Sequence, residues 1–180
     1  MGKNKKQNLK NEINTEIIRP ELSKDNIKIR QQAFNSQRLR KIKKGLRTFH
    51  TLEMMAQTIY AYQITKKETK LNRQLIAAMA NEMTHYQDFQ IKLFEYGWRP
   101  SKLRWQYWCV GIVFGLGSRL LGKKKILKTG IWVETKAVHH YTELLKTIEW
   151  DDDTRKMIIK NQSDEVGHIN SWKKLLEEMN

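Results

Sequence analysis

The stretch "NEMTHYQDF", residues 81 to 89, puts Glu82 and His85 on the same helical stripe as Leu75, Met79, Tyr86 and Phe89. The stretch "SDEVGHINSW" repeats the arrangement with Glu165 and His168. Residues three apart share one face of a helix, so each Glu and its His can grip a common point. A carboxylate buried without a partner is very costly. A chain that places carboxylates on apolar stripes must therefore bring something to neutralise them. That requirement restricts the fold more than any other feature of the sequence.

Two more glutamates complete the pattern. Glu53 precedes Glu82 by 29 residues, Glu134 precedes Glu165 by 31, and the second set repeats the first at offsets of 81 to 83. Each half offers one Glu on its first helix and a Glu-x-x-His on its second. Four carboxylates formally balance two divalent cations, and each imidazole adds a neutral nitrogen. This ligand arrangement belongs to di-iron and di-manganese carboxylate bundles. Oxygen and imidazole donors without thiolate suit iron or manganese. With 13 Glu and five His, chance supplies only about 0.4 Glu-x-x-His pairs. One pair would mean little; two in matching positions of a duplicated half mark a site. Glu53, Glu82, His85, Glu134, Glu165 and His168 are the candidate catalytic and metal-binding residues, and two iron ions, or manganese in their place, are the expected cofactor.

The helices that carry these residues follow from periodicity. Nine Gly and two Pro in 180 residues leave few breakers and favour an all-α chain. A helical pattern begins at about 27 and runs to about 66, with Gly45 a candidate break and Leu46, Phe49, Glu53, Ala56, Tyr60 and Ile64 on one face. A second helix is predicted over 69–96, stopped by "GWRP". A third is predicted over 123–148 and a fourth over 153–178, the latter entered through the turn and N-cap carboxylates of "WDDD". One long connection in the middle makes this a ferritin-like four-helix bundle. The expected organisation is a basic N-terminal arm, 1–40, partly disordered or helical, and a bundle domain, 41–180.

Charge and cysteine narrow the setting. The net charge of +15 favours polyanionic partners. Much of it lies in "RLRKIKKGLR" (38–47) and "GKKKILK" (122–128). A single cysteine, Cys109, excludes an internal disulfide and a thiolate cluster, and suits a reducing compartment. No apolar run follows "MGKNKK", so no export signal is expected. The apolar run "WCVGIVFGLGSRLLG" (108–122) is interrupted by Arg119 and too short to span a bilayer comfortably. Its neighbours Trp98, Trp105, Tyr107 and Trp108 alternate with Arg99, Lys102 and Arg104. That composition fits a short interfacial apolar helix lying on an anionic membrane, and equally a crossover helix packed on the bundle; one helix can do both. No nucleic-acid motif accompanies the basic residues, which argues against RNA.

The remaining histidines and tyrosines have two readings each. His50 lies one turn before Glu53 and His140 lies six residues after Glu134; either can orient a ligand or simply pack. His139 is expected at the solvent face. Tyr60, Tyr86 and Tyr141 read first as core aromatics, with Tyr141 also a candidate to support the ligands.

From about residue 40 onward the chain resembles the demethoxyubiquinone hydroxylases, ferritin-like di-iron monooxygenases of ubiquinone biosynthesis. The run "GIVFGLGSRLLGKKKILKTGIWVETKAVHHYTELL" (111–145) is similar to the family's Gly-rich apolar segment, its Val-Glu ligand and its His-Tyr pair. "HTLEMMAQTIYAYQ" (50–63) is similar to the first-ligand segment, although Thr51 and Leu52 stand where the family usually has Ala-Gly. The resemblance implies the six ligands above, with His140 beside them. It also implies hydroxylation of the ring of a polyprenylated quinol with O2, by a peripheral protein at the cytoplasmic face of the inner membrane. The sequence carries no GxGxxG fingerprint, so electrons are expected from a partner protein, the quinol or a transient reductant. A homodimer and a lipid-binding partner stay open. Two rivals remain: a rubrerythrin-like oxidase or peroxide scavenger, and a non-enzymatic basic protein that binds membrane or RNA.

Overall fold

The computed structural model describes residues 23–30 and 34–179. Five helices account for nearly all of them: α1 (Ser36–Gln63), α2 (Lys70–Glu95), α3 (Arg104–Leu120), α4 (Lys123–Thr147) and α5 (Asp152–Glu177). No strand occurs among the described residues. Helices α1 and α2 form one hairpin and α4 and α5 the other, and the pairs meet through α2 against α5 and α1 against α4. The segment between α2 and α4 is the single long connection, and it contains α3. This is the expected all-α, ferritin-like bundle.

Local chemistry sets the helix ends. Asn35, Thr69 and Asp151 stand at the N-caps, each accepting a hydrogen bond from a backbone N–H three residues on, in Arg38, Asn72 and Thr154. Such caps satisfy donors that the first helical turn leaves free. Gly97, at φ 68°, ends α2, and Gly122, at φ 92°, turns the chain into α4. Both angles are ones that residues with a Cβ rarely adopt.

Two expectations about the first helix need correction. It starts at Ser36 rather than near residue 27. The backbone N–H of Arg30 donates to Glu95 O at 2.8 Å, so this extended segment docks on the end of α2 instead of coiling on itself. Helix α1 also passes through Gly45 unbroken. A Cβ there would lie 2.6 Å from the Trp150 ring, so the glycine makes room for an indole. The expected basic arm falls in large part outside the described residues, at 1–22 and 31–33.

Two apolar clusters fill the bundle. Ile42, Leu46, Phe49, Phe89, Leu93, Tyr141 and Ile158 form one, with the Phe49 and Phe89 rings stacked at 4.7 Å. Ala56, Ile59, Tyr60, Ala78, Leu127, Val133 and Trp172 form the other. On every bundle helix the glutamate of interest lies between residues of the two clusters. The carboxylates are therefore closed off at both ends by hydrocarbon.

Helix α3 is packed inside out. Its buried residues are Gly111, Gly115 and Ser118, which let its backbone approach α1. A Cβ at Gly115 would sit 2.7 Å from both Ile59 O and Tyr62 Cβ. Its large residues point outward: Trp105 is 60% exposed, Val113 68% and Leu120 86%. Among the described residues no helix is long and apolar enough to cross a membrane. Gly115→Val is expected to push α3 off α1 and cost about 1–3 kcal/mol of stability, read as a lower thermal midpoint. Gly117→Ala, at a position with open space around it, should leave the midpoint unchanged or raise it slightly.

Candidate metal centre

All six predicted ligands converge in the middle of the bundle. Glu53, Glu82, His85 and Glu165 form one set of donors, and Glu82, Glu134, Glu165 and His168 form a second, with donor atoms in each set within 4.8 Å of one another. Glu82 and Glu165 belong to both, so the two sets share a wall. Each helix of the bundle contributes: α1 through Glu53, α2 through Glu82 and His85, α4 through Glu134, and α5 through Glu165 and His168. His85 Nδ1 lies 3.0 Å from Glu165 Oε1 and 3.7 Å from Glu53 Oε2. His168 Nδ1 lies 3.0 Å from Glu82 Oε1 and 3.6 Å from Glu134 Oε1.

The site is dry. Glu82, His85, Glu134 and Glu165 are completely buried, and His168 is 9% exposed. Both oxygens of Glu82 and of Glu165, Glu134 Oε2 and the Nδ1 atoms of both histidines have no hydrogen-bond partner. Buried polar atoms are ordinarily satisfied, and these seven atoms face one small volume where a cation would satisfy them. The donor set fits a divalent metal of the iron and manganese class.

Electrostatics says the same. Burial, with the neighbouring Glu165 and Glu53, pushes the Glu82 carboxyl well above its ordinary range. Burial and Glu165 do so for Glu134. Burial works against a charge on the imidazoles, but the carboxylates outweigh it and hold His85 up at about 11 and His168 at about 12. Burial also opposes ionisation of Glu165, yet His168 and His85 bring it down to about 2. The protein alone balances this site with protons, which a divalent cation would replace.

The surrounding groups hold the donors in place. Tyr141 donates to Glu53 Oε1 at 2.7 Å. Tyr60 donates to Glu134 Oε1. Each tyrosine lies seven residues after the Glu of its own helix and bonds the Glu of the opposite hairpin. His85 Nε2 meets Asp164 Oδ2 at 3.1 Å, which turns Nδ1 toward the carboxylates. Sequence reasoning left Tyr60 among the core aromatics and did not single out Asp164. The shared spacing of seven, Glu53 to Tyr60 and Glu134 to Tyr141, was the available signal for the first. Asp164 had only its adjacency to Glu165. Tyr60→Phe is expected to weaken metal binding about 10- to 100-fold, measured by competition with a chelator, while leaving the helical content unchanged.

The other candidates lie further out. His50 is buried, with Nε2 2.9 Å from Gln90 Oε1 and its ring 4.2 Å from that of Tyr86. Burial brings it down to about 4, against the Gln90 hydrogen bond, and the Arg104 charge lowers it further. His139 and His140 are exposed on α4. His140 lines a cavity of about 230 Å³ that runs from Glu53, Glu82 and Glu134 outward past Leu52, Ala56 and Trp132. Trp132 also borders a groove of about 490 Å³ between α3 and α4, lined by Val113, Phe114 and Leu121 with Lys125 and Lys128. The Trp132 and Phe114 rings stack at 5.5 Å, so one indole stands between groove and cavity. Cavity and groove thus share Trp132 as a wall.

The chain is similar to known proteins. Over 129 residues the chain is 34% identical to a 3-demethoxyubiquinol 3-hydroxylase of Polaromonas sp. (strain JS666 / ATCC BAA-500), covering 68% of this chain and 60% of the relative. It is 28% identical over 130 residues to the protein of that name from Legionella pneumophila (strain Corby), covering 70% and 60%. It is 26% identical over 129 residues to the human mitochondrial NADPH-dependent 3-demethoxyubiquinone 3-hydroxylase, covering 68% and 59%. The matched part spans about 60% of the length of these curated relatives. Residues 40–175, which hold all six ligands and the whole crossover, match the family of the ubiquinone biosynthesis protein COQ7. With that match over most of its length, and with four glutamates and two histidines of the matched part gathered in one buried site, the chain belongs to the ubiquinone biosynthesis protein COQ7 family.

Proposed function

We propose that this chain is a di-iron monooxygenase that hydroxylates the aromatic ring of a demethoxyubiquinol-type polyprenylated quinol with O2. The observation that carries the proposal is the pair of donor sets sharing Glu82 and Glu165, bordered by a cavity whose wall, Trp132, also lines an apolar groove. The names of the relatives supply the substrate class. A rubrerythrin-like scavenger would use the same ligands but has no need of a groove for a greasy molecule.

Two iron ions, when bound, would supply the activation of O2. Glu53, Glu82, His85 and Glu165 would hold one, and Glu82, Glu134, Glu165 and His168 the other. The chain does the rest. Tyr141 and Tyr60 keep Glu53 and Glu134 each in one orientation, which preserves an ordered cage while protons and charge change within it. Leu52, Ala56, Val133 and Ala137 wall the cavity with hydrocarbon and keep water from the reacting ring. The groove beside Val113 and Phe114 would take part of the polyprenyl tail and present the ring past Trp132.

The same surface supports a peripheral membrane location, at the cytoplasmic face of the inner membrane. The outward residues of α3 form an apolar face, with Lys102 and Arg104 at one end and Lys123 and Lys125 at the other. That is the composition of an interfacial helix. Electrons come from outside the bundle, and the name of the human relative makes a reduced nicotinamide dinucleotide the first donor to assay.

The test is expression in cells that lack their own demethoxyquinone hydroxylase. Restored quinone is expected from the wild-type chain and none from His168→Ala. Rescue by His168→Ala, or a purified protein without iron, would overturn the reading. Flotation with anionic vesicles checks the location, and Val113→Glu should abolish it.

A further inference from the structure

The basic run 38–47 plays no part in the metal site, yet the fold gives it a definite shape. Arg40, Lys43, Lys44 and Arg47 follow one another at helical spacing along a single face of α1. They line a groove of about 510 Å³, closed on the far side by Ser101, Leu103 and Tyr107 at the start of the crossover helix. Its lining contains no carboxylate. Among the described residues, Arg40 and Lys44 have no acidic partner. Arg47 donates through Nε and Nη2 to Arg99 O, at 3.0 and 2.9 Å, and Lys43 stands 5.5 Å over the Trp98 ring. Two of the four cations are thus held in place by the loop opposite, and two are free to turn toward a ligand. Like charges three and four apart on a helix repel, and an anion in the groove would relieve that repulsion.

The groove also adjoins the metal cavity. Leu52 lines both it and the cavity that reaches Glu53, Glu82 and Glu134. Leu52, two turns along α1 from Lys44, is the wall between the groove and that cavity.

We propose that this groove is a binding site for a phosphate ester, with Arg40 and Lys44 as its principal ligands, Arg47 and Lys43 as its fixed cationic floor, and Leu52 as its apolar neighbour. Guanidinium and ammonium groups converging without a carboxylate suit the several oxygens of a phosphate. The phosphate has two sources, a phospholipid headgroup or a soluble ester, and both present the same chemistry to these side chains. The proposal does not depend on the quinol reading, since it concerns the opposite side of Leu52.

The experiment compares the full chain with Arg40→Gln/Lys44→Gln and with Lys173→Gln/Lys174→Gln, which removes the same charge from exposed positions on α5. Gln keeps helix propensity, and circular dichroism checks the fold. Calorimetry with inorganic pyrophosphate reads the soluble source; sedimentation with phosphatidylglycerol vesicles reads the headgroup. A loss of tenfold or more in either measurement for the groove variant, with less than a twofold change for the α5 variant, is the expected result and identifies the source. Equal losses in both variants would show diffuse attraction by net charge and overturn the site. So would unchanged binding in the groove variant, or no binding of either probe by the wild-type chain. Because Arg40 and Lys44 are remote from the metal donors, iron content should be the same in all three proteins.

Discussion

Glu165→Ala is expected to empty both halves of the metal site, lowering iron from about two per chain to near zero after desalting. Glu165 belongs to both donor sets, and it is the carboxylate 3.0 Å from His85 and 3.4 Å from His168. Glu53→Ala removes a donor from one set only and should leave about one iron. Elemental analysis of the two variants side by side makes the comparison, and a Glu165→Ala protein that kept two irons would show the assignment to be wrong.

The same site predicts a pH dependence. In the protein without metal, His85 and His168 titrate at about 11 and about 12, above the ordinary histidine value of 6.5. A raised pKa means that their contribution to stability is complete below about pH 6.5 and is lost as pH rises through 11 to 12. Metal binds the unprotonated imidazoles, so loading at neutral pH must expel their protons, and apparent affinity rises with pH. Calorimetric loading in buffers of different ionisation enthalpy should count at least two protons released per chain.

Arg30→Ala is expected to destabilise the fold by about 3–5 kcal/mol, lowering the thermal midpoint by about 10 °C. The Arg30 guanidinium lies 2.9 Å from Glu95, 2.8 Å from Asp151 and 2.9 Å from Asp153. Glu95 is 2% exposed, and Tyr96 also donates to Asp151. The segment 23–30 therefore fastens the end of α2 to the start of α5, joining the two hairpins at one end of the bundle. Removing the arginine leaves Asp151 without a cation and leaves Glu95 and Asp153 with only Lys92 and Lys28, and the cost is mostly theirs. Adding Glu95→Gln to Arg30→Ala should recover part of the loss, measured by thermal melting in the same buffer. If Arg30→Ala melts within 2 °C of the parent, the clamp carries no weight, since a change that small is under about 1 kcal/mol.

The candidate metal donors were legible because a charged residue on an apolar stripe is an anomaly that periodicity alone exposes. Glu53 sits between Phe49 and Ala56, and Glu165 between Ile158 and Trp172, on faces that otherwise read as core. The helix boundaries expected at 69–96, 123–148 and 153–178 fall within one residue of those observed at 70–95, 123–147 and 152–177, because caps and glycines act within a few residues. Gly45 was harder. In sequence a glycine in a helix weakens it, and only Trp150, 105 residues away, explains why it stands there.

What the sequence by itself determined is the class of chemistry: four helices, two Glu-x-x-His pairs, and buried carboxylates whose charge must be neutralised. These depend on spacing along single helices. Only the tertiary structure decided which groups meet. It brought Tyr60 to Glu134 and Tyr141 to Glu53 across the hairpins, docked Arg30 on three distant carboxylates, and set the basic face of α1 against the crossover. It also turned α3 so that glycines face the bundle and Trp105, Val113 and Leu120 face outward. Hydrophobicity alone would bury those large residues. Close approach of two helix backbones favours the small ones, and that preference acts only once α1 is there to be packed against.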